Sequence, residues 1–461
     1  MNSEDYLLRR DLAPLKKRRF WYILAIVLCV LGLIIPQPLV FLAGLCILVI
    51  GVVPEIWYRV ALQRLEIQQQ IDQQHHFFGD NAVLTQRFEN QKWLPATWLK
   101  VEAFITPPLT IIDAKTAQRT KSGYMSDRWM LSSFQQVTRR LSMPCIARGL
   151  YTIGPIRLQS SDPLGWLERE LTLPLYETLL IYPPLASLDA FGLSSLNPGG
   201  DSRSARRIYE DPQKVVGVRE YQVGDDFRRI SWKATARYGS LKSKIYEYSS
   251  TPRLLLLLDC WNYARTWAGA DQDIQELCIA LVASLAVWAL DGRYMVGLLT
   301  NGAMATATTA QSARQRSNDL FVTGRARHIT PPGICLPFAR HDGHYQRILA
   351  TLAQLVPHEY CPIAEMLERE ASMFSPGTTI LFVSAATSVT KDTIERLEEF
   401  RKRKMAIHLV LAGSPDGNAV ADMMNVPVQY VKKEKWYELA NTIVKDRDEA
   451  IAASALHFQL D

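Results

Sequence analysis

A run of ionisable side chains extends from Val218 to Asp259: VREYQVGDDFRRISWKATARYGSLKSKIYEYSSTPRLLLLLD. Two kinds of chemistry fit these residue types. In the first, Asp225 and Asp226 act as acid and base while Arg228 and Arg237 bind an anionic substrate group. Carboxylates beside arginines have lowered pKa values, which suits a salt bridge better than a general acid. In the second, the residues are structural. Gly224 and Asp225 make a turn, and Asp225 or Asp226 pairs with Arg228, Arg229 or Arg237. Trp232 then packs against a sheet, while Ala234 and Ala236 sit in a short helix. No nucleophile and base stand at a recognisable spacing here, which favours the structural reading.

Elsewhere the chain is poor in catalytic motifs. It has no GxxxxGK[ST] loop to cradle a nucleotide, no GxSxG and no HExxH. His75-His76 and His341-x-x-His344 are too sparse for a zinc ligand set and are expected at the surface. Seven cysteines are scattered without CxxC spacing, the usage of a reducing compartment. The net charge of +6 on 461 residues is modest. The run Arg401-Lys402-Arg403-Lys404 ends a predicted helix, where cations face the negative end of its dipole. No nucleic-acid partner is expected.

The elements that must position these residues begin with an uncharged segment, Phe20 to Val53. A single helix of that length would measure roughly 50 Å, against a bilayer core of about 30 Å. Pro36-Gln37-Pro38 breaks it in the middle, so two spans joined by a tight turn are expected over 20–57. Arg9, Arg10, Lys16, Lys17, Arg18 and Arg19 precede the first span, and Arg59 and Arg64 follow the second. The positive-inside rule then keeps both ends cytoplasmic. A signal peptide is the competing reading, but a second apolar run follows at once and no small-residue cleavage site separates the two. Leu277 to Leu290 is also apolar, yet at about 14 residues it fits a buried core helix better than a span.

After the basic stretch 1–19 and the hairpin, residues 58–74 read as a polar helix continuing into the cytoplasm. Residues 75–195 alternate short β-prone runs with Pro, Gly, Asn and Asp, as an antiparallel β-sandwich does. Residues 193–213 read as a linker, within a segment 196–250 that also holds the charged run above. From 251 to 461 the pattern is α/β: RLLLLLD is a strand buried on both faces, closed by Asp259. Helices are expected near 271–291, 344–356, 361–373 and 390–403, with strands RYMVGLLT, TTILFVS, MAIHLVLA and VPVQYV and a last helix between and after them. This alternation predicts a doubly wound parallel sheet. The stretch 302–340 fits no element and is expected to be irregular.

The series Arg219-x-Tyr221, Gly224-Asp225, Arg228, Ile230, Trp232, Ala236-Arg237, Gly239, Leu241, Lys244 and Glu247 resembles the signature of the bacterial domain-of-unknown-function 58 family. Arg148 to Trp166, with Asp162-Pro163-Leu164-Gly165, resembles a second segment of that family. The resemblance implies two N-terminal spans, a β-domain and an α/β domain similar to von Willebrand factor type A domains. Those domains bind a divalent cation through Asp-x-Ser-x-Ser after the first strand, with a threonine and an Asp on later loops. Here the motif reads Asp259-Cys260-Trp261-Asn262-Tyr263, Ser384 stands where the Asp would be, and Thr300 could stand in for the threonine. One carboxylate makes a poor cage for magnesium, so no metal and no cofactor is expected. Asp259 is left to cap a helix or to hold Trp261 and Tyr263 at the sheet's upper edge. Genes of this family commonly neighbour MoxR-type AAA+ ATPases, which implies such an ATPase as partner. Two functions remain open: a scaffold at the cytoplasmic face of a bacterial inner membrane, anchored in lipid, that helps assemble or mature envelope or membrane proteins; or an enzyme whose active site is the Gly-Asp-Asp/Arg/Trp signature.

Overall fold

The computed structural model describes residues 15–35, 38–113, 123–161, 168–193, 210–222, 225–248, 252–260, 271–304, 333–356, 362–371, 374–375, 377–414, 426–443 and 445. They fall into two compact units. One holds residues 1–182 with 306–323, and the other holds 183–305 with 324–461.

The first unit opens with two apolar helices, α1 (Leu15–Ile34) and α2 (Pro38–Val60). They lie against each other. A Cβ on Gly32 would come within 2.5 Å of the Phe41 backbone nitrogen, so only glycine permits this approach. Tyr22 donates its hydroxyl to the Gly51 carbonyl at 3.0 Å and to Glu55 at 2.6 Å. Most of α2 is long, apolar and exposed. Pro36 and Gln37, at the expected turn, lie outside the described residues.

Ten strands follow. They are β1 (Leu65–Ile71), β2 (His75–Phe77), β3 (Asn81–Asn90), β4 (Ala96–Ile105), β5 (Ile112–Asp113), β6 (Tyr124–Leu131), β7 (Gln136–Pro144), β8 (Gly149–Ser161), β9 (Glu168–Leu173) and β10 (Glu177–Tyr182). Among the described residues they form two sheets, ordered β1-β3-β7-β5 and β2-β10-β8-β4-β6, with β9 beside β8. All pairings are antiparallel except β2 with β10. Period-2 alternation sends Ala82, Leu84 and Phe88 of one sheet and Val101, Ala103, Ile156 and Leu158 of the other into one shared core. The sandwich therefore starts ten residues earlier than expected.

Residues 65–71 correct the polar helix expected over 58–74. They form a strand in which Leu65, Ile67, Gln69 and Ile71 turn inward while Glu66, Gln68 and Gln70 face solvent. Gln69 hid the alternation, because a buried glutamine reads as polar surface. Its Oε1 accepts from Gln86 Nε2 at 3.0 Å, so the core tolerates both amides. His76 is likewise buried rather than at the surface, 3.3 Å from Asp72.

Lys92 ties α2 to the sandwich. Its buried ammonium donates to the carbonyls of Ala61 and Gln63, just past the helix end, where carbonyls lack intrahelical partners. Gln91 N–H donates to the Arg64 carbonyl at 3.0 Å. Burial brings the Lys92 pKa down to about 8. The unfolded chain holds that proton up to its ordinary value of 10.5, so between these two values the unfolded state binds more protons. The thermal midpoint should therefore rise with pH across this window and fall as pH drops through 8. A pH series of melts on wild type and Lys92→Met checks this: the variant should lack the rise.

The second unit contains β11 (Glu210–Glu220), α3 (Trp232–Tyr238) and β12 (Lys242–Tyr248), then the α/β sheet. Its elements are β13 (Arg253–Leu258), α4 (Gln272–Asp291), β14 (Met295–Thr300), β15 (Ala303–Met304), β16 (Ile334–Ala339), α5 (Asp342–Gln354), β17 (Leu355–Val356), α6 (Ile363–Arg369), β18 (Thr379–Ala385), α7 (Lys391–Lys402), β19 (Ala406–Ala412), β20 (Val428–Val431) and α8 (434–443). Among the described residues the sheet order is β16-β14-β13-β18-β19-β20, and every pairing is parallel except that of the edge strand β16. One face packs Leu255, Leu257, Ile380 and Phe382 against Leu367 of α6 and Leu397 and Phe400 of α7. α4 covers the other face and is buried along most of its length, as expected of a core helix.

Two expectations change here. Residues 334–339 of the supposedly irregular stretch form β16, and Pro337 is tolerated because that strand is an edge, with a register shift beside it. Residues 305–332 lie outside the described residues. His344 is buried rather than exposed: its Nε2 donates to the Val296 carbonyl at 2.7 Å, and burial holds its pKa below the ordinary imidazole value. The N-cap of α4, the described helix that follows Asp259, is Asp271, which accepts from the backbone of Asp273 and Ile274.

Candidate functional site

The charged run folds into a small lobe. β11 and β12 pair antiparallel, with Arg219 opposite Ser243 and Glu220 opposite Lys242. Between them the chain makes a 3-10 turn at Phe227–Arg229 and then α3. Gly239 ends α3 in the left-handed region at φ 70°, which explains a glycine there. Ser231 N–H donates to the Lys242 carbonyl, and Lys242 N–H donates to Thr235 Oγ1, closing α3 onto β12. Ile230 is the buried anchor.

Among the described residues Asp225 pairs with Arg219, an arginine outside the three that the sequence offered for it. Arg219 Nη2 lies 2.6 Å from Asp225 Oδ1, and Gln222 N–H donates to Oδ2 at 3.1 Å. Tyr221 hydroxyl donates to the Asp225 carbonyl at 3.2 Å. These contacts, Arg219 first, hold the Asp225 carboxyl below the ordinary carboxylate range. Each carboxylate oxygen thus takes one of these contacts, an arrangement that suits a structural ion pair. Gly224 and the Arg228 side chain lie outside the described residues, and Asp226 and Arg237 are exposed.

Trp232 does not pack on a sheet. It is 69% exposed, with Phe227 at 74% and Tyr238 at 63%. Val218, Leu241 and Ile245 are exposed as well, and Lys233 and Arg237 lie between them in sequence on α3. The signature thus divides by direction. Arg219, Tyr221, Asp225, Ile230 and Gly239 build the lobe, and the aromatics face outward. The outward role of Phe227 and Tyr238 went unread because nothing in a sequence distinguishes an exposed aromatic from a core one.

A second polar cluster closes the carboxyl end of β13, at the point where the strand order reverses between β13 and β18. Ligands of open parallel sheets bind at such points. Asp259 is buried there. Its Oδ1 accepts from Asn301 Nδ2 at 2.8 Å and its Oδ2 from Ser384 Oγ at 3.3 Å. Ser384 Oγ lies 2.8 Å from Ser388 Oγ, and Asn301 Oδ1 accepts from Cys260 N–H at 2.7 Å. Trp261 and Tyr263, which Asp259 was expected to hold, lie outside the described residues. Asn301 and Ser388 escaped the sequence reading. The available signal was their place at the ends of apolar strands, where polar side chains of a parallel sheet meet. These residues do not fit the divalent cation that the resemblance implies: both oxygens of the one carboxylate receive protein hydrogen bonds, and the remaining groups are an amide and hydroxyls.

Together these features define a protein with a helical pair, a β-sandwich and an α/β unit, the last preceded by a lobe of outward aromatics. The model of the family described as "Protein of unknown function DUF58" matches residues 217–323, which contain the lobe from its first strand onward and the Asp259 cluster as far as Asn301. A relative from Bacillus subtilis (strain 168), "Uncharacterized protein YeaD", is 22% identical over 311 residues, 67% of this chain and 66% of the relative. Over those residues the chain is similar to the DUF58 family, and it spans just under two thirds of that relative's length. Among solved structures, the C-terminal domain of wzt covers 26% of this chain and 73% of its own length at 7% identity, with a TM-score of 0.18. Spo0M, a sporulation control protein from Bacillus subtilis, covers 26% and 50% at 6% identity, with a TM-score of 0.17. Likenesses this slight support no inference about fold or function.

The Arg219–Asp225 pair makes a pH prediction. A carboxyl with a depressed folded pKa stabilises the fold above its ordinary value, and that contribution is lost as pH falls through the depressed one. Arg219→Ala should return the Asp225 pKa toward its ordinary value, so the variant is less stable than wild type at neutral pH, loses less on acidification, and converges with wild type below about pH 4. Urea midpoints measured between neutral and acid pH check the direction.

Proposed function

We propose that this protein is a membrane-anchored docking protein whose lobe presents Phe227, Trp232 and Tyr238 to a partner. The observation that carries this reading is their exposure on a lobe that Arg219, Tyr221, Asp225 and Gly239 of the signature help to hold in shape. Exposed aromatics flanked by arginine and lysine are the residue types that dominate binding energy at protein interfaces. A rigid mount lowers the ordering cost of presenting them.

The partner proposed is a MoxR-type AAA+ ATPase, following the family resemblance, acting in assembly or maturation of envelope or membrane proteins. The chain contains no P-loop motif, so nucleotide hydrolysis is assigned to the partner. The α/β unit is read as von Willebrand factor type A-like, a reading supported by its parallel sheet with one antiparallel edge strand. The helices α1 and α2 are read as a transmembrane hairpin, supported by the apolar, largely exposed surface of α2. α4 passes the same length and composition test but is mostly buried, which supports its reading as a core helix.

Capture of the solubilised protein from its native host should recover the ATPase. The double substitution Phe227→Ala with Trp232→Ala should lower that recovery at least about tenfold without shifting the thermal midpoint. Recovery of only unrelated proteins, or an unchanged yield with the double variant, would sink the docking reading. The topology has its own test. A reporter fused at position 36 should score as external and one at position 461 as cytoplasmic, and the reverse pattern would overturn the orientation.

A further inference from the structure

We infer that a single side chain, Asn301, closes the carboxyl edge of the parallel sheet to divalent cations, and that the cluster there is a cation-independent tie between strands. This inference rests on the Asp259 cluster alone and stands whether or not the lobe docks a partner.

The orientation of the Asn301 amide is decided by its far end. Its Oδ1 faces the N–H of Cys260 at 2.7 Å, a contact that an NH2 group could not make. The Nδ2 hydrogens must therefore point at Asp259 Oδ1, 2.8 Å away. A cation approaching that oxygen would meet hydrogens where it needs lone pairs. The other carboxylate oxygen receives Ser384, whose hydroxyl is also engaged with Ser388. Thr300 Oγ1 accepts the Gly302 N–H at 3.3 Å and lies 3.3 Å from Cys260 Sγ. Magnesium demands about six oxygens at roughly 2.1 Å in octahedral array, and these groups are already spent on one another.

The same bonds show what the cluster does instead. Asp259 follows β13, Thr300 ends β14, Asn301 follows it, and Ser384 lies in β18, so the hydrogen bonds tie three strand ends. All these side chains are buried. The Asp259 charge is felt nearby: burial first, then Cys260 and Asp259, push the Cys278 thiol pKa upward. The described donors to this carboxylate, Asn301 and Ser384, are neutral dipoles, and a second carboxylate in place of the amide would set two buried like charges side by side. Replacing the Asn301 amide with a carboxylate therefore removes the hydrogens that exclude a cation and creates a need for one.

The test uses the full chain in detergent micelles, with Mn2+ binding read by electron paramagnetic resonance and thermal midpoints read in EDTA and in Mg2+. Wild type should show no saturable Mn2+ site that depends on Asp259, and its midpoint should be the same in both buffers within about 1 °C. Asn301→Asp should melt at least about 5 °C lower than wild type in EDTA, regain much of that in Mg2+, and bind about one Mn2+. Saturable Mn2+ binding by wild type that Asp259→Asn abolishes would overturn the inference. So would an Asn301→Asp protein that folds, melts like wild type in EDTA and takes up no Mn2+. If Asn301→Asp does not fold, the comparison of wild type with Asp259→Asn decides on its own.

Discussion

Five consecutive leucines, Leu254 to Leu258, form a strand with no polar face to offer water. Such a strand is stable only at the centre of a sheet covered on both sides, and the second unit follows from that requirement. β14 and β18 flank it in parallel, α4 lies across one face, and α6 and α7 complete the core on the other. At roughly 25 cal/mol per Å2 of apolar surface, burying each leucine is worth about 2 kcal/mol. The same burial sets a constraint at the strand's end. The first polar side chain after the leucines, Asp259, is still inside the protein and must find donors there. Asn301 and Ser384 supply them from the ends of the two neighbouring strands.

The lobe solves a different problem. Among its described side chains the buried apolar anchor is Ile230. Its shape also depends on directed bonds: Arg219 to Asp225, Tyr221 to the turn, Ser231 and Thr235 to β12, and the left-handed glycine after α3. Fixing the backbone by polar contacts leaves its large aromatics available for something else. A lobe held by a core would have had to bury them.

How much of this was legible in the sequence depended on how directly burial shows in residue type. β13, β18 and α4 could be read because unbroken apolar runs of characteristic length have few alternative homes. β1 was missed because Gln69 is buried in the sandwich, where it accepts from Gln86, and no propensity scale anticipates a buried amide pair. β16 was missed because Pro337 argues against a strand unless the strand lies at an edge, and edge position is a property of the assembled sheet. At the candidate sites, Asp225 and Asp259 stood out by type. The pairings did not: Arg219 was in view six residues upstream but not as the partner of Asp225, and Asn301, forty-two residues downstream of Asp259, was not singled out at all. The sequence showed the acids but not the geometry that pairs them.

The clamp of Lys92 on the end of α2 has a mechanical consequence. β1 begins within a few residues of the helix and pairs along its whole length with β3, and the lysine binds the carbonyls between them. No slack chain remains at this junction to act as a swivel. If α2 crosses a bilayer, any change in its tilt, whether from membrane thickness or from load, is passed on to the sandwich as rotation of a rigid arm. The sandwich then becomes an indicator of the membrane's state, with the helix as its shaft.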